Sequence, residues 1–450
     1  MQGEPRQDNL PWIILVSLVL GALVGIACNW GREAIDSAVA HVTGAPVVAV
    51  DWIVGNIARP LGQIFLNLLL MTVVPLVFAS LASGVAQLGD WRRLGRVGLI
   101  TMALFVFSMA LACATGLALV NWYQPGLAMP SEVGQQLLAE AKNPAPPARG
   151  LTVDTIVGIV PRNPFQAAVQ MDMLQIIFFA LMVGVAMTFL TEVRRQTLLR
   201  LLEGVTEVMV VIIHLVMRIA PLAVFALIFA QTATFGWRYL ETLGSYVLLA
   251  LGGMAFHLVV SLGFLVWLLG GWAPWRFFAR IWTVMITAFS TSSSNATLPT
   301  TLRTAQQELG VPPQIAGFVI PLGATMNMNG TALYEGITAL FLAQVYFGVT
   351  PDWTAQITVL VLAVLTAIGA AGVPGGSLPL LAMVLTSIGV PGEYIGIILG
   401  VDRLLDMART VLNVSGDLVV AVCVARQERS WETPLTSATT GSKDAPSDPA

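Results

Sequence analysis

Charged side chains are scarce in this chain of 450 residues, where Asp, Glu, Lys and Arg make up 10% against 56% hydrophobic residues and a mean hydropathy of +0.80. That balance excludes an ordinary soluble domain and predicts a polytopic membrane protein, all-α by its long apolar runs. Charge of one sign is lacking too. The 22 Lys and Arg nearly cancel the 25 Asp and Glu, with no basic block for nucleic acid and no long acidic tail. Cysteine is limited to Cys28, Cys113 and Cys423, each isolated in an apolar run, so no disulfide or metal framework is expected. His41, His214 and His257 lie far apart and match no ligand spacing, which argues against a metalloenzyme, and no organic cofactor is expected.

What the chain has in quantity is apolar sequence. Runs of spanning length occur near residues 10–28, 60–88, 97–121, 168–190, 203–230 and 243–270. The first follows a polar start and lacks a small-residue cleavage pattern, so it reads as a retained span rather than a signal peptide. Arg92, Arg93 and Arg96, then Arg194, Arg195 and Arg200, then Arg276 and Arg280 all fall on one side if residues 1–9 are cytoplasmic. The long loop 121–166 would then face outward, and 431–450 reads as a disordered tail.

Beyond residue 281 the apolar segments become interrupted. Segment 281–308 breaks at SSSNATLP (292–299), and segment 355–390 breaks at GAAGVPGGS (369–377). Each is too short on either side to span twice and reads as a re-entrant helical hairpin whose tip lies at membrane depth. Between them, 315–346 breaks at NMNGT (327–331). With the broken helix and the final span, the expectation is about eight transmembrane helices plus two re-entrant hairpins. Paired interrupted segments point to two structural repeats around a transporter site.

The final span carries Asp402, Asp406, Arg409, Asn413 and Asp417 at intervals of four, three, four and four. At about 100° per residue they share an arc of roughly 80°. Each Asp or Arg at the bilayer centre costs about 2.5–3.5 kcal/mol, so this stripe is expected to face a protein-lined, ion-accessible cavity. The alternative is an ion-pair stripe holding helices together. Arg409 offers a planar fork for a carboxylate, and Asp406 could receive an ammonium group, a pairing suited to an acidic amino acid. Backbone amides at the two tips, with Asn413, could take the second carboxylate. Asp417, Asn413, Asn327 and the backbone near Gly323 offer the hard oxygens that sodium prefers. Glu335 is the sole acid of its broken helix, and desolvation makes it a candidate to carry a proton.

These segments resemble the dicarboxylate/amino acid:cation symporter family, the glutamate and aspartate transporters. The likeness covers about residues 10–428 and rests on MTVVPLVFASL (71–81), LGRVG (94–98), VPRNPF (160–165), APLAVFAL (220–227), SSSNATLPT (292–300), NMNGTALYEG (327–336), AGVPGG (371–376) and DRLLDMARTVLNVSGD (402–417). It implies a homotrimer in the cell membrane with cytoplasmic termini, built on inverted repeats, in which a transport domain moves like an elevator against a scaffold. Residues 10–270 would be mainly scaffold and trimerisation spans, with spans three and six moving with the transport domain. Residues 281–428 would be the transport core, its second hairpin acting as the gate.

Residue by residue, the resemblance places the substrate side-chain carboxylate on Arg409 and its amino group on Asp406. Thr331, Thr410, Asn413, Ser293, Ser294, Val373 and Gly375 would complete that site. One sodium would be held by Gly323, Asn327, Asn413 and Asp417, and another, under the gate, by Thr325, Met328, Ala367, Ile368 and Ala370. Glu335 matches the proton-carrying position of the animal members.

The departures also carry weight. Asn329 stands where the family has Asp, and Phe105, Ser108 and Met109 replace oxygen ligands, so a third sodium site is not expected. Ser292 and Met407 occupy the two positions where different members place an arginine. Acidic amino acid symport with protons through Glu335 and one or two sodium ions is the reading these residues favour, with coupling to protons alone left open. A C4-dicarboxylate carrier is the rival within the family. A membrane enzyme using Asp402 and Asp406 as an acid dyad is the rival outside it, weakened because Arg409 would hold both ionised.

Overall fold

The computed structural model describes residues 10–43, 48–87, 91–129, 158, 160–170, 172–370, 372 and 374–436, and among them every regular element is helical. The predicted cytoplasmic N-terminus (1–9), most of the outward loop, and the end of the tail (437–450) lie outside the described residues.

The first half is a layer of long apolar helices. α1 (Leu10–Trp30) and α2 (Arg32–Thr43) precede α3 (Ala49–Ile53), which passes through a π-turn into α4 (Arg59–Leu70) and then α5 (Val73–Gln87). α6 (Trp91–Tyr123) is followed by the short α7 (Pro164–Val169), α8 (Met173–Thr188), α9 (Glu192–Met217) and α10 (Ala220–Phe235). α11 (Trp237–Phe256) continues through a π-helical turn at His257–Leu262 into α12 (Gly263–Leu268).

Among the described residues, five segments are long and apolar enough to cross a membrane, and a sixth if the bent pair α9–α10 counts as one span. Three differences from the hydropathy reading stand out, two of them with local causes. Within the 168–190 run the long helix covers Met173–Thr188, because the Asp172 carboxylate caps its start by accepting from the Gln175 amide at 3.4 Å. At about 1.5 Å per residue that helix falls short of a bilayer core about 30 Å thick. The 203–230 run is bent by 59° between α9 and α10, where a proline opens α10. The 60–88 span begins earlier, at Ala49, and is interrupted at Met71–Thr72.

Close approach in this half uses small residues. α1 lies along α10 with Gly21 and Gly25 at the contact, and a Cβ at Gly21 would stand 2.7 Å from the Phe225 carbonyl oxygen. α6 passes the buried second half in the same way at Gly116, 2.8 Å by the same measure from the Leu333 carbonyl oxygen.

The second half positions the site. α13 (Pro274–Thr291) and α14 (Ser294–Gln307) form one hairpin, and α17 (Trp353–Ile368) and α18 (Leu378–Ser387) the other. Between them run α15 (Pro313–Met326) and α16 (Asn329–Phe347), separated only by Asn327 and Met328. The last helix is α19 (Leu399–Thr436). It continues past Trp431, where the sequence reading began the disordered tail. Within its apolar span 89% of the best window is buried, against 28% for the first span, so α19 is a central helix whose polar stripe meets protein rather than lipid. α16 is equally central, with every residue from Asn329 to Val345 buried.

Candidate functional site

The first hairpin turns within two residues. Ser292 adopts a left-handed conformation (φ 50°, ψ 31°), which costs a non-glycine residue about 1 kcal/mol, and Ser293 is extended. Ser293 then caps its own second arm, its Oγ accepting from the Ala296 amide at 3.2 Å. The second hairpin has a longer tip with no side-chain cap on α18. Instead its backbone is tied to other elements. The Gly372 carbonyl accepts from Ser293 Oγ at 2.7 Å and from the Asn295 amide at 3.3 Å, and the Gly375 amide donates to Asp406 Oδ2 at 3.1 Å. Gly375 has φ 74°, where glycine is at ease.

The two tips and the middle of α19 enclose a cavity of about 10 Å³, room for roughly one water. Its lining includes Ser292, Ser294, Met328, Thr331, Ala370, Gly372, Ser377, Asp406, Arg409, Thr410 and Asn413. Arg409 is 3% exposed, pairs through Nη2 with Asp406, and sits over the Tyr334 ring with Cζ 4.6 Å from its centroid. Its Nη1 has no partner, and neither do Ser292 Oγ nor Ser377 Oγ. Three unpaired buried donors thus belong to residues around one small cavity, an arrangement that favours an anionic guest. The first turns of α14 and α16 add partial positive charge there through Ser294 and Thr331.

Asn413 holds the break in α15–α16. α16 has no side-chain cap from Met328, and Asn413 Oδ1 accepts from the Gly330 amide at 2.7 Å in its place. Thr410 Oγ1 donates back to the Asp406 carbonyl at 2.8 Å, and Thr331 Oγ1 donates to Met328 Sδ at 3.8 Å.

Asp417 lies one turn beyond Asn413, buried, its Oδ1 accepting from Asn327 Nδ2 at 3.0 Å. A Cβ on Gly323 would run into that carboxylate, so a close approach of α15 to α19 requires glycine there. Asn327 Oδ1 accepts from Ser108 Oγ and from Asn329 Nδ2, both at 3.1 Å. At the family's third sodium position Ser108 Oγ and Asn329 Nδ2 thus act as donors to Asn327, and Asn329 Oδ1 is buried without a partner, beside the fully buried Phe105 and Met109. Of the residues expected under the gate, Met328 and Ala370 line the cavity, Ala367 and Ile368 end α17, and Thr325 is exposed, its Oγ1 donating to the Leu322 carbonyl at 3.0 Å. Val373 lies outside the described residues.

Glu335 does not line the cavity. It is fully buried in α16, with Oε2 accepting from Thr366 Oγ1 of the second hairpin at 2.6 Å and Oε1 without a partner. Asp402 also departs from the expected role, since it turns from the cavity to accept from Tyr334 Oη at 2.6 Å. The two aspartates thus have different partners, Tyr334 for Asp402 and the arginines with the Gly375 amide for Asp406.

The model of the sodium:dicarboxylate symporter family matches residues 10–427. The chain belongs to this family. Among relatives of this symporter, the proton/glutamate-aspartate symporter of Escherichia coli (strain K12) is 36% identical over 431 residues, covering 94% of each chain. The proton/sodium-glutamate symport protein of Bacillus subtilis (strain 168) is 36% identical over 421 residues, covering 92% of each. A C4-dicarboxylate transport protein of Anaeromyxobacter sp. (strain K) is 31% identical over 420 residues, covering 92% of this symporter and 89% of that protein. The symporter is therefore a multi-pass membrane transporter and not an enzyme.

Sequence reasoning missed three residues of the symporter's site: Arg403, which reaches Asp406 Oδ2 at 3.3 Å; Tyr334, which bridges Arg409 and Asp402; and Ser377, with its free hydroxyl. Only Arg403 left a usable signal, a buried cation three residues before Asp406.

Proposed function

We propose that this chain is a secondary symporter that carries an acidic amino acid, aspartate or glutamate, across the cell membrane together with protons and one or two sodium ions. The observation that carries the reading is the set of unpaired donors, Arg409 Nη1, Ser292 Oγ and Ser377 Oγ, gathered around a cavity that also contains the Asp406 carboxylate. Arg409 would take the substrate's side-chain carboxylate, Asp406 its ammonium group, and the tip donors with Asn413 its other carboxylate. The closed cavity is too small for such a substrate, so one tip must open. The second is the candidate gate because its longer, glycine-rich tip has no side-chain cap of its own and is tied by its backbone to Asp406 and to the first tip.

Sodium finds carboxylate and amide oxygens at Asp417, Asn413 and Asn327, with backbone at Gly323, and a second ion would sit between Met328, Thr325 and the end of α17. Glu335 is the proposed proton carrier. A buried carboxylate with one hydroxyl partner and one free oxygen is costly as an anion, and taking up a proton removes that cost. The homologues' names, which pair proton with glutamate-aspartate or proton and sodium with glutamate, support the same cargo and ions. A homotrimer with an elevator movement of residues 281–428, spans three and six moving with it, and both termini in the cytoplasm complete the proposal.

The C4-dicarboxylate reading has one observation in its favour: Asp406 is already occupied by two arginines, as it would stay if no ammonium ever arrived. Uptake of labelled aspartate, glutamate and succinate into proteoliposomes, with sodium and pH gradients imposed separately, decides between them. Aspartate or glutamate accumulation under either gradient supports the proposal, and accumulation of succinate alone overturns it. In Glu335→Gln the response to an imposed pH gradient is expected to vanish while exchange continues. An unchanged response removes Glu335 as the carrier.

A further inference from the structure

Asp406 is the carboxylate assigned to a substrate ammonium, yet in the closed site it is fully engaged. Oδ1 pairs with Arg409, while Oδ2 accepts from Arg403 Nη1 at 3.3 Å and from the Gly375 amide at 3.1 Å. Arg403 is 8% exposed, does not line the cavity, and leaves its Nε unpartnered. It therefore has no group turned toward a substrate carboxylate, unlike Arg409 with its free Nη1. Its bond to Asp406 is long for a charge-assisted contact, which is commonly about 2.7–2.9 Å. It is also the contact most easily given up.

The charges around it balance. In their ordinary ionised forms Asp402 and Asp406 are offset by Arg403 and Arg409, all four buried on α19, with no solute required. Without Arg403 the same cluster carries an uncompensated negative charge in the membrane interior, a state that costs several kcal/mol. An acidic amino acid brings its own ammonium to Asp406. An empty carrier brings none.

We propose that Arg403 is an internal stand-in for the substrate's ammonium group, seated on Asp406 Oδ2 when the cavity is empty and displaced when an amino acid binds, so that the unloaded carrier can return across the membrane. Arg403 is thus a positioning residue for the return step. The inference rests on the amino acid reading of the substrate.

The full chain in proteoliposomes tests it by comparing two labelled-aspartate assays. Exchange against internal aspartate uses only the loaded carrier, whereas net uptake into aspartate-free vesicles needs the empty carrier to return. In Arg403→Gln the ratio of net uptake to exchange is expected to fall by at least about tenfold, and in Arg403→Lys, which restores the charge, to lie within about threefold of wild type. A ratio unchanged in the Gln variant, loss of exchange together with net uptake in a variant that reaches the membrane, or a Lys variant behaving like Gln overturns the proposal. Arg403→Met replaces the Gln variant in the same comparison if Gln does not reach the membrane. Wild-type exchange is measured first against both aspartate and succinate. A protein that exchanges only succinate defeats the substrate reading before any Arg403 variant is compared.

Discussion

The two hairpin tips meet at Gly372, but they are built on opposite plans. The first turns within Ser292–Ser293 and supplies its own helix cap, accepting a strained left-handed serine as part of a tight local turn. The second spans residues 369–377 with several glycines and, beside turn bonds such as that from the Leu378 amide to the Gly375 carbonyl at 3.2 Å, depends on bonds from elsewhere, from Ser293 and Asn295 on one side and Asp406 on the other. A tip stabilised by its own hairpin keeps its shape when its neighbours move, whereas a tip stabilised by neighbours is released when they do. That contrast makes the second tip the proposed gate, anchored through Gly375 to the carboxylate proposed for the substrate's ammonium.

Substitutions at the two tips and at the α19 ion pair test this contrast. Arg409 serves the cavity from α19, between both tips, so Arg409→Cys removes a carboxylate donor and leaves Asp406 short of a partner. Breaking one side of a buried ion pair costs about 3–5 kcal/mol, and uptake of acidic substrates is expected to fall by at least about 100-fold. Uptake persisting at near-normal affinity would remove Arg409 from the site. Asp406→Asn takes away the ammonium partner and the second tip's anchor, so amino acid uptake should fall at least about tenfold more than dicarboxylate uptake in parallel competition assays. Equal losses would favour the dicarboxylate carrier.

Gly375→Ala strikes the second tip alone. Its added Cβ would stand at an ordinary 3.4 Å from Met217 Sδ, so the penalty comes from φ 74° and amounts to about 1–2 kcal/mol. Apparent substrate affinity is expected to weaken about tenfold, because the closed tip is the conformation that the alanine disfavours. Ser293→Ala removes one cap bond and one tip-to-tip bond from the self-supporting hairpin, worth about 1 kcal/mol, and should weaken affinity only about threefold to fivefold. If the serine variant proved the more damaging in the same uptake assay, the assignment of fixed and movable tips would be reversed.

Much of this was legible in the residues. The second hairpin's arms, Trp353–Ile368 and Leu378–Ser387, match the expected break at 369–377, because glycine and proline announce such an interruption. The first hairpin and the broken helix interrupt over fewer residues than expected, since Ser294–Gln307 and Asn329–Phe347 absorb residues that composition alone would leave in loops. Hydropathy could not see the Asp172 cap or the bend before Ala220, which are matters of local geometry. Arg403 escaped for a similar reason. It lies one residue after Asp402 and so outside the polar stripe, yet a long side chain three residues from Asp406 reaches the same carboxylate. Asp402 lay within the stripe and nevertheless turned to Tyr334, because helical phase cannot tell which neighbour will supply a hydroxyl.

In the proposed cycle the buried Arg and Asp pair of α19 opens to receive a solute between the two tips. A density map of the full chain in lipid, collected with aspartate and sodium, tests it most directly. A solute carboxylate is expected on Arg409 Nη1, its ammonium on Asp406, and the Arg403 contact to Asp406 Oδ2 broken or lengthened. A map in which Arg403, Arg409 and Asp406 stay locked together, with the aspartate bound elsewhere, would contradict it.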